Sequence, residues 1–255
     1  YCNGVDLNCG CPQRWAIKEG YGVDLLTKPQ LVKDLVLAVR NRTTSPFTVS
    51  VKIRILKDLN ETIELCKILE HTGVSFLSVH GRTPQMRKEP IDLDSLRAIR
   101  ELVQVPIIAN GGVNTLAEAE ALYELSKCQG IMVANGLLTN PALFSGAPVT
   151  PLSCIQDWLN ITETIPTSFF TMHHHLIFML EKILPKSPRL IFNNLQTRES
   201  VVEFLGEYYG IYPEKIEDES IQPIICNYQV PFREKRTEEE NVVDDWELST
   251  SLFDV

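Results

Sequence analysis

The sequence lacks the marks of a membrane protein or a secreted protein. No apolar run approaches the roughly 20 residues that a transmembrane helix needs. Seven cysteines are present, an odd number at irregular spacings, whereas small secreted domains carry paired cysteine frameworks. These absences predict a soluble protein of a reducing compartment, and we expect it in the cytoplasm or in the nucleus.

Two common ligand-binding patterns are also missing. No Gly-x-Gly-x-x-Gly turn follows an apolar run, which disfavours a dinucleotide site on an open, doubly wound sheet. Cys9 and Cys11 have no second Cys/His pair at zinc-site spacing, and the histidines at 173–175 point in different directions on a helix. We therefore predict no metal site. Cys9, inside an apolar strand, is most simply a packed core residue.

An excess of one charge sign is confined to the C-terminal end of the chain. The formal net charge is −9, but residues 212–255 hold 12 acidic and four basic residues, which leaves 21 and 20 in residues 1–211. Residues 212–255 are therefore interpreted as an acidic, disordered tail. Because the rest of the chain is nearly neutral, its acidity does not exclude a nucleic-acid partner.

The body of the chain alternates short β-branched runs with helical patterns, as βα units around a parallel sheet do. The five predicted strands cover residues 4–8, 47–54, 75–80, 106–110 and 130–134. Further along, three amphipathic helices are predicted at 151–164, 168–184 and 197–208, with breaks at Pro185 and Pro188. We predict a catalytic domain over residues 1–148 and a helical domain over 149–211.

Polar clusters follow the ends of all five strands. They are Asn8 with Cys11, Lys52 with Arg54, His80 with Arg82, Asn110-Gly111-Gly112, and Asn135-Gly136. The carboxyl ends of the strands of a βα barrel form one rim, where the active sites of that fold lie. The pattern therefore favours an α/β fold made of the C-terminal five βα units of a TIM (βα)8 barrel, followed by a small all-α domain.

Three of these clusters allow a chemical interpretation. Lys52 alternates with apolar neighbours, so it should point into the barrel and meet an anion or ligand; a rim carboxylate is the alternative partner. The glycines at 111 and 112, ahead of a helix that Asn114 would cap, offer backbone N–H groups suited to a phosphate. A single histidine such as His80 is more often a hydrogen-bonded structural residue than a catalyst.

A set of short motifs resembles the tRNA-dihydrouridine synthases, and especially the eukaryotic branch that acts at D-loop positions 20a/20b. The motifs are DLNCGCPQ at 6–13, GYG at 20–22, KIR at 52–54, VHGRT at 79–83, IANG at 108–111, and MVA at 132–134 with GLL at 136–138. They occur in the family's order over about residues 1–210. The resemblance implies a flavin-dependent oxidoreductase that forms dihydrouridine in tRNA.

The resemblance also implies cofactors and residue roles. In the family, FMN lies at the barrel mouth, is reduced by NADPH or NADH and passes a hydride to uracil C6, while a cysteine protonates C5. Cys11 would be that general acid, and Asn8 and Arg54 would contact flavin or the flipped uracil. Lys52 would lie beside the flavin ring. The remaining cofactor-binding residues would be His80, Asn110, Gly111, Gly112, Ala134 and Asn135.

The resemblance further implies that residues 149–211 bind tRNA, and we expect a monomer with no DNA and no membrane partner. The chain departs from the family at Asn135, where an arginine is usual, and at Gly112, where an acid is usual. Losing a guanidinium from a phosphate site should lower FMN affinity. The motifs begin at the family's fourth barrel strand and Tyr1 is not a methionine, so we expect an N-terminal portion to be missing.

Two other hypotheses remain open at this point. The chain could be a catalytically inactive fragment or isoform that keeps only an RNA-binding or protein-binding role. Alternatively, it could be a different FMN barrel that acts on a small molecule, such as a dihydroorotate-type dehydrogenase. The predicted helical domain speaks against the second of these.

Overall fold

A computed structural model describes residues 2–214 of the chain. The tail predicted over 212–255 lies outside the described residues from 215 onward. Within the described range the chain forms two compact units, residues 2–135 and residues 136–214. The domain boundary that we predict after residue 148 stays a prediction.

The first unit contains one parallel five-stranded sheet in which neighbouring strands follow one another along the chain. The strands are β1 (Gly4–Cys9), β2 (Thr48–Arg54), β3 (Phe76–His80), β4 (Ile107–Asn110) and β5 (Gly130–Met132). All five predicted strands are confirmed, with ends that differ by one or two residues. The helices of this unit are α1 (Arg14–Lys18), α2 (Pro29–Arg40), α3 (Leu59–Glu70), α4 (Leu93–Leu102) and α5 (Leu116–Ser126), with a 3-10 turn over Gly22–Thr27.

The two faces of this sheet differ in chemistry. On the face that packs against the helices, seven strand residues are fully buried: Val49, Val51, Ile53, Leu77, Val79, Ile107 and Ala109. The opposite face is polar because side chains alternate along each strand. There Lys52 pairs in register with Asn8 and Ser78, while His80 pairs with Arg54 and Asn110. Five residues predicted from the strand ends therefore share one face of the sheet.

The second unit is helical, as predicted. After α6 (Asn135–Thr139), it contains α7 (Leu152–Thr164), α8 (Phe169–Leu180), α9 (Lys186–Asn193) and α10 (Arg198–Tyr209), with a 3-10 turn over Leu143–Ser145. Its core is built from residues such as Leu159, Met172 and Leu205, each fully buried. None of the helices within residues 2–214 has the length and apolar character required to cross a bilayer.

The break predicted at Pro185 is confirmed, since α8 ends at Leu180 and α9 begins at Lys186, but the break predicted at Pro188 is wrong because Pro188 lies inside α9. Pro185 precedes the first helical residue, and Pro188 falls in the first turn. The N–H groups of a first turn have no intrahelical acceptor, so a proline there removes no helical hydrogen bond. The helix predicted over 168–184 also ends earlier, at Leu180.

Candidate active site

The loop that follows β1 places Cys11 at the carboxyl end of the sheet. The side-chain oxygen Oδ1 of Asn8 accepts hydrogen bonds from the backbone N–H groups of Gly10, at 3.0 Å, and of Cys11, at 3.1 Å. Such a side-chain turn reverses the chain immediately after the strand. Asn8 thus shapes the cysteine loop through its oxygen, and its amide nitrogen makes no hydrogen bond within residues 2–214.

Gly22 explains the GYG motif, because it packs directly against Cys11. Its φ is +60°, and a Cβ at this position would lie 2.3 Å from the carbonyl oxygen of Cys11. The same carbonyl accepts a hydrogen bond from the backbone N–H of Val23 at 3.0 Å. Only glycine allows this approach, so the two motifs hold each other in place.

Arg54 joins the cysteine loop to the loop that follows β3. It is only 2% exposed. Its Nε donates to the carbonyl oxygen of Gly10 at 2.9 Å, and its Nη1 donates to that of Thr83 at 3.3 Å. Burial, together with the charges of Arg87 and Arg82, lowers the pKa of Arg54 to about 10, so it stays a cation at neutral pH. The ligand contact expected of Arg54 stays a prediction beside this observed structural role.

Lys52 lies on the polar face of the sheet without a bonded partner. Neither a hydrogen bond nor an ion pair joins its ammonium group to any of the described residues. Burial and then the charge of Arg54 lower the pKa of Lys52, which Asp6 and Cys11 oppose. The nearby Asp6 carboxylate instead accepts a hydrogen bond from Ser50 Oγ at 2.6 Å. Asp6 therefore attracts Lys52 without bonding it, which leaves the half-buried ammonium group able to bond an anionic or polar ligand.

A cavity of about 680 Å³ opens among the loops that follow β3, β4 and β5. Three cationic side chains line it, those of Arg82, Arg87 and Lys88, and no described Asp or Glu is among its lining residues. Six residues predicted to bind the cofactor also line it, namely His80, Asn110, Gly111, Gly112, Ala134 and Asn135. The electrostatics therefore suit a phosphate group.

Sequence reasoning missed Arg87 and Lys88 as lining residues. The available signal is their place in the loop between β3 and α4, where two adjacent cations follow a strand that already ends in His80 and Arg82. No periodicity marks a loop residue as part of a site, so the spatial grouping is visible only in the structure.

His80 lies under this cavity as a buried group without partners. It is 2% exposed, and neither ring nitrogen has a hydrogen bond among the described residues. Burial, followed by the charges of Arg54, Lys52 and Arg82, lowers the pKa of His80 to about 3. The imidazole is therefore neutral at pH 7. Leaving buried polar atoms unbonded is costly, so such a group points to a bound ligand.

The backbone at Gly111 is fitted to this histidine. Gly111 has a φ of +122°, and a Cβ there would lie 2.7 Å from His80 Cδ2 and 2.7 Å from Ile91 Cγ2. Asn110, one residue earlier, donates from Nδ2 to the carbonyl oxygen of Met132 at 2.9 Å and so joins the ends of β4 and β5. These contacts fix the wall of the cavity.

The prediction that Asn114 caps the next helix with free N–H groups is wrong. Thr115 is the N-cap of α5, and it forms a capping box with Glu118. The Glu118 carboxylate accepts from the backbone N–H groups of Asn114, at 2.7 Å, and of Thr115, at 3.1 Å. This reciprocal arrangement occupies N–H groups that a phosphate would otherwise use. The cationic side chains, rather than this helix end, give the cavity its positive charge.

The remaining cysteine and histidine predictions concern packing. Cys9 is 1% exposed, as predicted for a core residue, and burial raises the pKa of its thiol to about 12. His173 bonds to the carbonyl oxygen of Phe192 at 2.9 Å and stacks on Phe169. Within residues 2–214, no group of three or more His, Cys, Asp or Glu side chains could hold a metal ion.

A parallel βα sheet with a thiol loop and a cation-lined cavity at its carboxyl edge is the arrangement of a βα-barrel protein, whose sites lie at the carboxyl ends of the strands. The family model described as dihydrouridine synthase (Dus) matches residues 1–197. The chain belongs to the dihydrouridine synthase family. This membership confirms the predicted resemblance and the predicted TIM-barrel class.

Named relatives agree with the family model. The tRNA-dihydrouridine(20a/20b) synthase-like protein of Mus musculus is 49% identical over 211 residues, which are 82% of this chain and 65% of that protein. The Homo sapiens counterpart is 47% identical over 212 residues, 83% of this chain and 67% of that protein. The Schizosaccharomyces pombe tRNA-dihydrouridine(20a/20b) synthase is 40% identical, with 83% and 65% covered. The chain thus spans about two thirds of these relatives' length.

Proposed function

We propose that this protein reduces uridine in tRNA to 5,6-dihydrouridine, with FMN as bound cofactor and NADPH or NADH as electron donor. The observation that carries this proposal is the thiol loop and the cation-lined cavity on the carboxyl edge of one sheet, in a chain of the dihydrouridine synthase family. The relatives' names support D-loop positions 20a and 20b and an NAD(P)+ cofactor. Overall, uridine, NAD(P)H and one proton become dihydrouridine and NAD(P)+.

The residues present fit FMN. The cavity offers three cations to a phosphate, and His80 offers two buried ring nitrogens that lack partners. Gly111, Gly112, Asn110, Ala134 and Asn135 would surround the phosphate and ribityl part. Lys52 would place its uncompensated charge beside the flavin ring. When bound, FMN supplies the hydride for uracil C6.

The chain's own chemistry is proton transfer from Cys11. The thiol would donate a proton to C5 of the uracil and then take one back from water, which completes the balance. The amide nitrogen of Asn8 would donate to a uracil carbonyl oxygen. The base has to leave its stack in the tRNA to reach these groups. We assign tRNA binding to residues 149–211 and propose that the protein acts as a monomer in the cytoplasm or nucleus.

The test is dihydrouridine formation by the 255-residue chain on tRNA from cells that lack dihydrouridine synthases, with FMN and NADPH supplied. We expect dihydrouridine by mass spectrometry and none above background for Cys11→Ala. Cys2→Ala is the matched control, because Cys2 is an exposed thiol just before β1. A flavin-loaded chain that forms no dihydrouridine, or a Cys11→Ala variant with normal activity, would overturn the proposal.

The same samples separate the other two hypotheses. An inactive binding fragment would bind tRNA but purify without flavin even when FMN is added. A small-molecule flavoenzyme would hold flavin, yet show no tRNA affinity that weakens steeply with salt. Bound flavin together with salt-dependent tRNA binding supports the synthase.

A further inference from the structure

Gln13 makes two contacts through one atom. This residue is 9% exposed and lies two positions after Cys11. Its side-chain oxygen Oε1 lies 2.5 Å from the indole Nε1 of Trp15 and 3.7 Å from Cys11 Sγ. Both are hydrogen-bond distances, since bonds that involve sulfur are longer.

The indole determines which way the Gln13 amide points. An indole N–H only donates, so the amide atom that faces it has to be the oxygen, not the NH2 group. That same oxygen faces Cys11. A carbonyl oxygen only accepts, so the Cys11 thiol has to be the donor in their contact. The S–H bond is therefore directed at Gln13, and a thiolate here would face an oxygen that carries partial negative charge.

We propose that Gln13 is a positioning residue that keeps the Cys11 thiol protonated and fixes its orientation, with Trp15 locking the amide. The catalytic meaning rests on the proposed function, in which Cys11 donates a proton. A general acid is useful only while it holds its proton. Hydrogen bonding to the neutral form of a group favours that form.

The other contacts of the cysteine loop do not orient the Cys11 thiol. The backbone of the cysteine loop is held by Asn8, Arg54 and Val23, and none of these hydrogen bonds involves the Cys11 sulfur. What those contacts leave undetermined is rotation of the thiol. Trp15 is 47% exposed. It therefore acts on Gln13 through its indole hydrogen bond and not through packing in the core.

The test measures alkylation of Cys11 by iodoacetamide at fixed neutral pH in the 255-residue chain, read by mass spectrometry of the peptide that holds Cys9 and Cys11. Only the thiolate reacts. Gln13→Leu removes the acceptor, so we expect alkylation about three to ten times faster, the size of one neutral hydrogen bond. Trp15→Phe removes the indole N–H that faces the amide oxygen of Gln13, and we expect an acceleration in the same direction.

Gln13→Glu is the matched control. Its carboxylate still accepts from both donors and opposes a negative sulfur, so alkylation should be no faster than in the wild type. Buried Cys9 reports loosening of the loop and should stay unreactive in every variant. Unchanged alkylation in both Gln13→Leu and Trp15→Phe, or equal acceleration in Gln13→Leu and Gln13→Glu, would overturn the inference.

These measurements need no turnover, so the two proposals fail separately. A wild-type chain that forms no dihydrouridine but shows the expected alkylation series keeps Gln13 as the residue that orients the thiol and removes the proposed function. If the chain forms dihydrouridine but its alkylation is insensitive to Gln13→Leu and Trp15→Phe, the proposed function is kept and the role of Gln13 is removed.

Discussion

The cysteine loop and the cation-lined cavity lie at the carboxyl edge of the same sheet, but they are built in opposite ways. In the loop, Asn8, Arg54, Val23 and Gln13 hold the backbone and thiol of Cys11. In the cavity, neither ring nitrogen of His80 has a hydrogen-bond partner among residues 2–214, and the three cations that line the cavity form no ion pair with any of these residues. The cysteine loop is thus held by contacts within the chain, whereas the proposed function requires a bound ligand to complete the cavity.

This difference follows from the two tasks. A general acid contributes only when its proton is placed correctly before the reaction, so its position has to be fixed in advance. A cofactor phosphate brings its own charge and acceptor oxygens, so the cations that would meet it need no carboxylate partner among the described residues. Damage to the loop should therefore reduce the rate, and damage to the cavity should reduce cofactor affinity.

The largest effect is expected for Gly22→Ala. The new Cβ would lie 2.3 Å from the carbonyl oxygen of Cys11 at a φ of +60°, so the cysteine loop has to move. A displacement of about 1 Å at a reacting group costs about 100-fold in rate. We expect dihydrouridine formation to fall by about this factor while FMN affinity stays within about threefold, the difference that a fraction of a kcal/mol makes.

Gly20→Ala is the control for Gly22→Ala. Gly20 also has a positive φ, +81°, but its Cβ would meet nothing closer than Asp24 Oδ2 at 3.7 Å. It should lose some stability and keep its rate. Equal rates in Gly22→Ala and the wild type would mean that the GYG motif does not hold the cysteine loop.

For Gly111→Ala we expect a loss of FMN affinity, in contrast to the loss of rate expected for Gly22→Ala. Its Cβ would lie 2.7 Å from His80 Cδ2 and Ile91 Cγ2, which forces the cavity wall apart. Overpacking of this kind costs about 2 kcal/mol, so titration of flavin fluorescence should show FMN affinity about 30-fold lower. Gly112→Ala has a similar backbone requirement, φ +73°, with no neighbour closer than 3.7 Å, and should bind FMN nearly normally. Similar losses in both variants would refute the steric explanation.

The sequence predicted the strand ends better than the loops. Lys52, His80 and Asn110 were found because alternation fixes which strand residues share a face, and breaks in the pattern mark where strands stop. Arg87 and Lys88 lie in a loop, where no such pattern operates. Asn114 and Thr115 are both good capping residues, and only the position of Glu118 decides between them.

Arg54 shows a different limit of sequence reasoning. A pattern can place a guanidinium at a strand end, but it cannot say whether backbone carbonyls or a ligand will receive its N–H groups. In the structure, Gly10 and Thr83 receive two of them. The sequence likewise did not predict α9, because a proline in the first turn of a helix and a proline between two helices look the same in a sequence.

The acid sensitivity of the unliganded chain should come partly from His80. The pKa of His80 is about 3 in the folded chain and near 6.5 when unfolded, so only the unfolded state binds a proton between these values. The stability linked to His80 is present above about pH 6.5 and is lost as the pH falls toward 3. Urea unfolding should show about 2 kcal/mol lost between pH 7 and pH 5 from this group.

His80→Gln isolates this contribution, because other titrating groups act equally in both proteins. The variant should be less sensitive to acid than the wild type over the same range. His71→Gln makes the same substitution at an exposed imidazole and is the matched control. A His80→Gln slope equal to the wild type would show that His80 is not buried in its neutral form.

The smallest effect is expected for the double variant Arg87→Ala with Lys88→Ala, and it tests what the cavity recognises. Both side chains are exposed, and exposed ion pairs are worth at most about 1 kcal/mol each, so FMN affinity should fall about fivefold to tenfold. Riboflavin lacks the phosphate, so its affinity should not change. Lys67→Ala with Lys127→Ala removes the same charge elsewhere and should leave both affinities unchanged. If riboflavin lost as much affinity as FMN, the two cations would shape the cavity rather than bind phosphate, and the contrast between a prearranged loop and a ligand-completed cavity would rest on His80 alone.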